Sequence, residues 1–436
     1  MKRFLKVLTG GILLGIPVLG GVLWGMQGLC VGLLLMATCM WVTEWVPVVV
    51  TSLLVVLGLS VGATLLSPTD AGLYIKELGN PILTLFFGGF VMAGAIQRAK
   101  LDRMMAHGLL RLVPPNPRWV LAAIIMASVG VSMWISNTAA TLMMLPIVVS
   151  MADTLPKSDR FRVAMLLAVP FAANVGGMAT PVGTPPNAIA LGWLHRAGID
   201  MTFGAWMMWG MPVAILGGLV IWMVLSLLFR TKERIYIQTE SMDVTPQAWV
   251  TLGIVVLAIG LWITGGWHGM SDSTVALGAA VCLLATGAYL PSDLGKLEWP
   301  VMLLMWGGLA LGLAIEKTGV SMLVGDWLAG IPSSYSTWVA MGVSATLSAV
   351  MNDTATANVV IPIIGQIPSN HLALTIFMTA VSSSAAMVLP VSCAPNAVLF
   401  GKALVSSRTF IMVGSLVTLG VLAVIAGWGL VVASIW

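Results

Sequence analysis

Long apolar runs recur along the whole chain, and they constrain the fold more than any other feature of the sequence. Each run is close to the roughly 17–25 residues that an α-helix needs to cross a bilayer. Only 8% of the 436 residues are charged and 59% are hydrophobic, whereas soluble domains carry roughly 25% charged residues. No charged segment is long enough to form a separate soluble domain. The sequence therefore predicts an all-α polytopic membrane protein with a single membrane domain.

The N-terminal segment resembles a signal peptide only in part. Three basic residues, Lys2, Arg3 and Lys6, precede an apolar run over residues 7–24. This run lacks the small-x-small pattern of a cleavage site. We therefore expect residues 1–27 to be retained as a first transmembrane helix.

Cysteines and histidines do not form the clusters that nucleophilic or metal-dependent enzymes need. The four cysteines lie inside apolar segments, without the spacing of a disulfide framework or a metal site. The four histidines lie in or near predicted loops. The chain also has no basic stripe that would indicate nucleic-acid binding. We expect no catalytic residues and no enzymatic activity.

Two polar stretches interrupt apolar runs at their centres. Residues 132–141 read Ser-Met-Trp-Ile-Ser-Asn-Thr-Ala-Ala-Thr, and residues 348–356 are a near-copy, Ser-Ala-Val-Met-Asn-Asp-Thr-Ala-Thr. Irregular backbone inside a membrane is tolerated only where protein or water satisfies its polar groups. We therefore predict two re-entrant helical hairpins with polar tips, over residues 118–151 and 334–364.

Each predicted hairpin is followed by an apolar run that is itself interrupted. The interruptions cover residues 174–187 and 389–396, and both end in Pro-Asn. The only sizeable hydrophilic linker lies between the two sets, at residues 230–246. The order of elements before the linker recurs after it. We predict two repeats, over residues 28–229 and 247–436, joined by a cytoplasmic linker.

The positions of lysine and arginine predict the orientation. About 11 transmembrane helices and a cytoplasmic N-terminus place 17 of the 20 basic residues on the cytoplasmic side, in agreement with the positive-inside rule. The C-terminus is then outside. Each repeat has an odd number of crossings, so the second repeat is inverted relative to the first. Inverted repeats are the usual construction of secondary transporters, whose sites form near the midplane from interrupted helices.

The polar tips and interruptions carry groups suited to ions. Hydroxyls, amide oxygens and exposed backbone carbonyls suit a hard monovalent cation, and helix N-termini favour anionic groups. A simpler interpretation is that such residues only bond their own helix or join neighbouring helices. Two matching clusters at equivalent positions favour a site. An anion channel is the alternative from another class, but it would need a continuous polar face.

The two tips resemble the paired Ser-Asn-Thr motifs of the divalent anion–sodium symporter family, which includes sodium-coupled dicarboxylate and citrate carriers. Thr43-Glu44-Trp45-Val46-Pro47, Phe86-Phe87-Gly88-Gly89-Phe90 and Gly183-Thr184-Pro185-Pro186-Asn187 are similar to further family signatures. The resemblance implies a scaffold and a moving transport domain, an elevator mechanism and a homodimer. It implies sodium-coupled symport of a small di- or tricarboxylate-like anion across the inner (plasma) membrane.

The resemblance also implies roles for particular residues. The first sodium site would use Ser132, Ser136, Asn137 and the backbone around Gly183. The second sodium site would use Ser348, the carbonyl of Met351, Asp353 and the backbone around Ser392. The substrate would meet Asn137, Thr138, Thr184, Asp353, Thr354 and Cys393.

The second repeat departs from the family pattern at two places. Its tip reads Asn352-Asp353-Thr354, and its interruption has Cys393 where the family has a hydroxyl residue. A carboxylate beside an anion site is costly unless a cation or a proton neutralises it. Asp353 could bind sodium strongly, couple transport to protons, or accompany a less charged substrate such as a sulfonate or a monoanion. It could also simply cap its helix. Sodium-independent anion exchange and sulfate transport stay open as alternatives.

Overall fold

The computed structural model describes residues 2–43, 46–70, 72–235, 245–320, 322–323, 332–366, 369, 371–390 and 392–435. This part of the chain is helical and contains no strand. The predicted all-α fold is therefore confirmed. The family-like motif at residues 43–47 lies partly outside these residues, because positions 44 and 45 are not described.

The helices follow one another with short connections. In chain order they are α1 (Lys2–Thr43), α2 (Val48–Leu66), α3 (Leu73–Lys76), α4 (Pro81–Arg98), α5 (Leu101–Arg111), α6 (Pro117–Ser132), α7 (Asn137–Ala152), α8 (Phe161–Gly177), α9 (Pro185–Arg196), α10 (Phe203–Leu228), α11 (Pro246–Ile263), α12 (Gly265–His268), α13 (Asp272–Ala285), α14 (Trp299–Lys317), α15 (Ser333–Val350), α16 (Asp353–Ile364), α17 (Leu372–Ser384), α18 (Ala394–Gly401) and α19 (Ser407–Ile435). Short 3-10 turns lie at Pro68–Asp70, Glu77–Gly79 and Pro291–Lys296.

Several helices have the length and composition of membrane spans. Among the described residues, seven are long and apolar enough to cross a bilayer. A helix rises about 1.5 Å per residue, so about 20 residues cover the roughly 30 Å hydrocarbon core. Most helices on either side of the predicted tips and interruptions are shorter, with α15 at 18 residues as the exception. The predicted interruptions are real breaks, because α8 ends before α9 begins and α17 ends before α18 begins.

A kink divides α1 into two helical segments. Trp24 has φ −133° and ψ 20°, and Gly25 has φ 59° and ψ −145°, a conformation that favours glycine. After the kink the chain returns antiparallel to itself, because Gly28 packs against Gly20 and Gly32 packs against Pro17. The first predicted helix therefore ends near residue 24.

Each predicted hairpin region contains two helices with a capping residue at the tip between them, and the re-entrant placement in the membrane stays a prediction. Ser136 precedes α7 and its hydroxyl accepts from the Ala139 N–H at 3.3 Å. Asn352 precedes α16 and its side-chain oxygen accepts from the Ala355 N–H at 2.8 Å. Ser and Asn are preferred at this position because they satisfy an N–H that the helix leaves unpaired. The polar tips are therefore also the residues that start the second helix of each hairpin.

The chain divides into two compact units, and each contains helices from both predicted repeats. The first unit comprises Met1–Leu83, Ile189–Asp200 and Glu298–Ser383. The second unit comprises Thr84–Ala188, Met201–Leu297 and Ser384–Trp436. The inverted repeat itself stays a prediction.

Each unit has its own apolar core. In the first unit, α1, α2 and α14 meet through buried side chains that include Leu33, Leu59 and Leu311. In the second unit, α8 packs against α6, α7 and α10, and the Phe171 ring lies edge-on to Phe410 with centroids 5.4 Å apart. The hairpin of α6 and α7 is thus packed into the second unit.

Close packing at Gly308 generates a stability prediction within the first unit. The Asn358 side chain donates to the Leu304 carbonyl at 3.3 Å, and a Cβ at Gly308 would overlap the Asn358 amide. We expect Gly308→Ala to destabilise the protein by about 1–3 kcal/mol, as overpacked cores do. The apparent Tm in detergent, followed by tryptophan fluorescence, checks this.

Gly342→Ala is the matched control for this substitution. Gly342 lies within α15, and a Cβ there would meet no atom within 4 Å. We expect its Tm to stay level or rise slightly, because alanine is favoured over glycine inside a helix. Equal Tm values for the two variants would contradict the packing at Gly308.

Candidate functional site

The first hairpin tip is hydrogen-bonded to the break between α8 and α9. This break covers residues 178–184. The Thr180 hydroxyl donates to the Met133 carbonyl of the tip at 2.6 Å. The Asn187 amide donates to the Gly177 carbonyl at 2.9 Å and to the Thr180 carbonyl at 2.7 Å. Side chains therefore supply donors to carbonyls at and beside the break, and the Thr180 carbonyl also accepts from the Gly183 N–H at 3.3 Å.

The Asn137 amide lies at the centre of this junction. One of its terminal atoms is 2.7 Å from Ser132 Oγ, 3.1 Å from the Ala173 carbonyl oxygen and 3.3 Å from the Gly183 carbonyl oxygen. A nitrogen at this position donates toward all three oxygens. An oxygen at this position accepts from Ser132 and lies against two carbonyl oxygens. The first orientation therefore satisfies more of the surrounding oxygens.

Glycines allow the tip and the break to approach this closely. A Cβ at Gly177 would overlap the Asn137 amide, and a Cβ at Gly183 would overlap the Gly177 carbonyl. The backbone of the break can therefore reach the amide of the tip without an intervening side chain.

Two polar atoms of the first break are buried without a hydrogen-bond partner in the described part of the chain. They are Thr184 Oγ1 and Asn187 Oδ1, on residues that are 1% and 0% exposed. Most buried polar atoms are paired, so an unpaired one calls for an explanation such as a ligand or an ion. Thr138, at the start of α7, is half-buried.

The second break lies in the same unit as the first tip. The Ser392 hydroxyl is 2.8 Å from the carbonyl oxygens of both Ala386 and Leu389, within the break itself. Cys393 has extended backbone, precedes α18 and is 5% exposed. Its Sγ accepts from the Asn174 amide of α8 at 3.0 Å. A contact therefore links α8 to the second break.

The second tip belongs to the first unit. The Ser348 hydroxyl donates to the Ser383 carbonyl at 2.5 Å. Asp353 is half-buried, and its Oδ1 accepts from the N–H of Thr354 at 2.7 Å and from its hydroxyl at 3.2 Å. None of the ion pairs between described residues includes Asp353. The carboxylate thus lies at the N-terminus of α16, where the helix dipole stabilises negative charge. Met351 has extended backbone with φ −95° and ψ 170°.

The predicted sets are distributed differently between the two units. The first sodium set, Ser132, Ser136, Asn137 and Gly183, lies wholly in the second unit. In the second sodium set, Ser348, Met351 and Asp353 lie in the first unit, and Ser392 lies in the second unit. Of the substrate set, Asn137, Thr138, Thr184 and Cys393 lie in the second unit, and Asp353 and Thr354 lie in the first unit. The roles of all these residues stay predictions.

Sequence reasoning missed two residues and one carbonyl group that shape the junctions. Asn174 contacts the second break, Thr180 joins the first break to the tip, and the Ala173 carbonyl faces Asn137. Asn174 is the only side-chain amide within α8, which otherwise reads Phe-Arg-Val-Ala-Met-Leu-Leu-Ala-Val-Pro-Phe-Ala-Ala-x-Val-Gly-Gly. That isolated polar residue in an apolar helix was the available signal.

Known proteins with similar sequences are transporters. Residues 38–381 match the citrate transporter family. An uncharacterized transporter of Haemophilus influenzae is 31% identical over 429 residues, covering 91% of this chain and 90% of that protein. The sodium-dependent dicarboxylate transporters SdcS of Staphylococcus saprophyticus and Staphylococcus aureus are each 28% identical, covering 87% of this chain and 81% of theirs.

A solved structure supports the fold. The YdaH transporter of Alcanivorax borkumensis, described as having an unusual topology, aligns with a TM-score of 0.59 at 15% identity, covering 84% of this chain and 89% of that chain. The family match also confirms the resemblance drawn from the polar tips, and it agrees with the absence of an enzymatic role. The chain is therefore a multi-pass membrane transporter that belongs to the citrate transporter family.

Proposed function

We propose that the protein is a sodium-coupled symporter of a small di- or tricarboxylate-like anion in the inner (plasma) membrane. The observation that carries this proposal is the convergence of Ser132 Oγ and the Ala173 and Gly183 carbonyl oxygens on one terminal atom of the Asn137 amide, at 2.7, 3.1 and 3.3 Å. The names of the SdcS relatives, which describe sodium-dependent dicarboxylate transport, support it.

The oxygens around Asn137 suit a hard monovalent cation. Hydroxyl, carbonyl and amide oxygens are hard ligands, and here they come from the first hairpin, from Ala173 near the end of α8 and from Gly183 in the break that follows. Rotating the amide by half a turn exchanges its nitrogen for its oxygen. The nitrogen satisfies the surrounding oxygens without an ion, and the oxygen adds a ligand when sodium is present. Asn137 can therefore support both the sodium-free and the sodium-bound state.

The substrate carboxylate would bind beside this ion. Helices α7 and α9 begin at Asn137 and Pro185, and the N-terminus of a helix favours negative charge. Thr138 and Thr184 add hydroxyls at these two helix starts. A sodium ion nearby offsets the charge of the carboxylate, because opposite charges attract strongly where water is excluded. This mutual attraction would couple the binding of sodium to the binding of the anion.

The remaining parts of the proposal follow from family membership and from the sequence. They are the second sodium set, the elevator motion, the homodimer, the cytoplasmic N-terminus and the external C-terminus. Proton coupling is the second candidate for the driving ion. It is favoured by one observation, the half-buried Asp353 carboxylate, which has no ion-pair partner among the described residues.

Two serines on α6 provide a matched test of the first sodium site. Both Ser132 and Ser128 are fully buried, but only Ser132 contacts Asn137, whereas Ser128 Oγ has no partner in the described structure. We expect Ser132→Ala to raise the sodium concentration for half-maximal uptake about tenfold, a loss of about 1.4 kcal/mol. Ser128→Ala should leave that concentration unchanged.

The measurement is anion uptake into proteoliposomes with an inward sodium gradient, repeated with potassium in place of sodium. If wild-type uptake needs no sodium gradient and responds only to anion inside the vesicles, the protein is an exchanger and not a symporter. If uptake by the two serine variants depends equally on the sodium concentration, Ser132 does not bind the ion.

Replacing the carboxylate at 353 separates sodium coupling from proton coupling. In Asp353→Asn the side chain keeps its shape and loses its charge. If Asp353 binds sodium, we expect weaker sodium activation and an unchanged response to a pH gradient. The proton-coupled alternative predicts two results. Wild-type uptake would respond to a pH gradient without sodium, and Asp353→Asn would lose that response.

A further inference from the structure

A chain of side-chain amides crosses from α8 to the second helix break. The Asn396 amide nitrogen lies 3.4 Å from the Leu389 carbonyl, which fixes the orientation of Asn396. Its oxygen then faces α8 and accepts from the Asn174 amide nitrogen at 3.3 Å. The same nitrogen donates to Cys393 Sγ at 3.0 Å. Asn174 therefore holds Cys393 of the second break and Asn396 in the first turn of α18 with its two N–H groups.

The second break needs this support more than the first break does. In the first break Asn187 donates to two carbonyls at 2.7 and 2.9 Å, which are good hydrogen-bond distances. At the equivalent position Asn396 lies 3.4 Å from one carbonyl and 3.5 Å from the Ser392 hydroxyl. These longer contacts are weaker. The first break is thus held by its own asparagine, whereas the second also relies on Asn174.

Asn174 remains at this buried position at a cost to stability. The residue is 1% exposed, and its Oδ1 has no partner among the described residues. A buried acceptor without a partner disfavours folding, and an alanine or leucine would avoid that penalty. The donors of Asn174 therefore have a use that offsets its unpaired oxygen.

We propose that Asn174 is a positioning residue that sets anion affinity through Cys393. A hydrogen bond donated to Sγ fixes the direction of the thiol, and the bond to Asn396 fixes the backbone that starts α18. Asn174 itself does not touch the substrate. The proposal rests on the proposed function, in which Cys393 is part of the anion site.

A double-mutant cycle between Asn174 and Cys393 tests this role. Uptake by full-length protein in proteoliposomes is measured with succinate as the probe, at saturating sodium. We expect Asn174→Ala to raise KM about tenfold while kcat changes less than twofold. The substitution weakens binding of the anion and leaves the transport step itself unchanged. In a Cys393→Ala background, the same Asn174→Ala substitution should change KM less than twofold.

Two further variants separate the effect of hydrogen bonding from the effect of packing. Asn174→Asp keeps the size of the side chain and replaces its donors by acceptors, so it should raise KM at least as much as Asn174→Ala. Asn174→Ser, which keeps a short donor, should lie between the wild type and Asn174→Ala. A KM rise that is equally large with and without Cys393 would overturn the proposal. So would a Cys393→Ala variant with wild-type KM.

The outcomes distinguish this proposal from the function on which it rests. If uptake does not depend on sodium and Ser132→Ala matches Ser128→Ala, sodium symport fails, whereas the coupling of Asn174 to Cys393 is still measured on the transported anion. If sodium dependence holds and the two substitutions are simply additive, only the role of Asn174 fails.

Discussion

Inside a membrane, every backbone N–H and carbonyl must find a partner within the protein, and the helix breaks of this chain depend on that constraint. An uninterrupted helix meets it automatically, but the break at residues 178–184 does not. Side chains supply further donors, since Thr180 donates to the Met133 carbonyl and Asn187 donates to the Gly177 and Thr180 carbonyls. The polar residues that look out of place in an apolar sequence are thus the ones that permit irregular backbone.

The same polar side chains also provide oxygens that could bind an ion. The buried side chains at the tip and the break lie close to several oxygens, which include Ser132 Oγ and the Ala173 and Gly183 carbonyls. Around Asn137 the surrounding oxygens can be satisfied by the amide nitrogen, or by a cation together with the amide oxygen. An asparagine is suited to this exchange because its two terminal atoms have opposite hydrogen-bonding character. Under the proposed function, stabilising the fold and binding an ion would use one set of atoms.

The two tips and breaks are not equivalent, and the differences bear on specificity. The first break is held by its own asparagine, but the second makes longer contacts and is also held by Asn174. At the second tip, Asp353 replaces the amide found in the first and accepts hydrogen bonds from Thr354. The tip and break of the second repeat thus use different residues and contacts from those of the first.

The sequence by itself determined the fold class, the hairpins, the breaks and the family. The length of the apolar runs predicts membrane helices. Polar residues at the centre of such runs indicate irregular backbone that is buried in protein. It also identified Asn137 and Gly183, which the structure brings together. Only the tertiary structure decided that Asn174 reaches Cys393, 219 positions away. It also decided that helices of both predicted repeats share each compact unit. Those outcomes depend on which helix faces pack, and hydropathy cannot specify this because nearly every face is apolar.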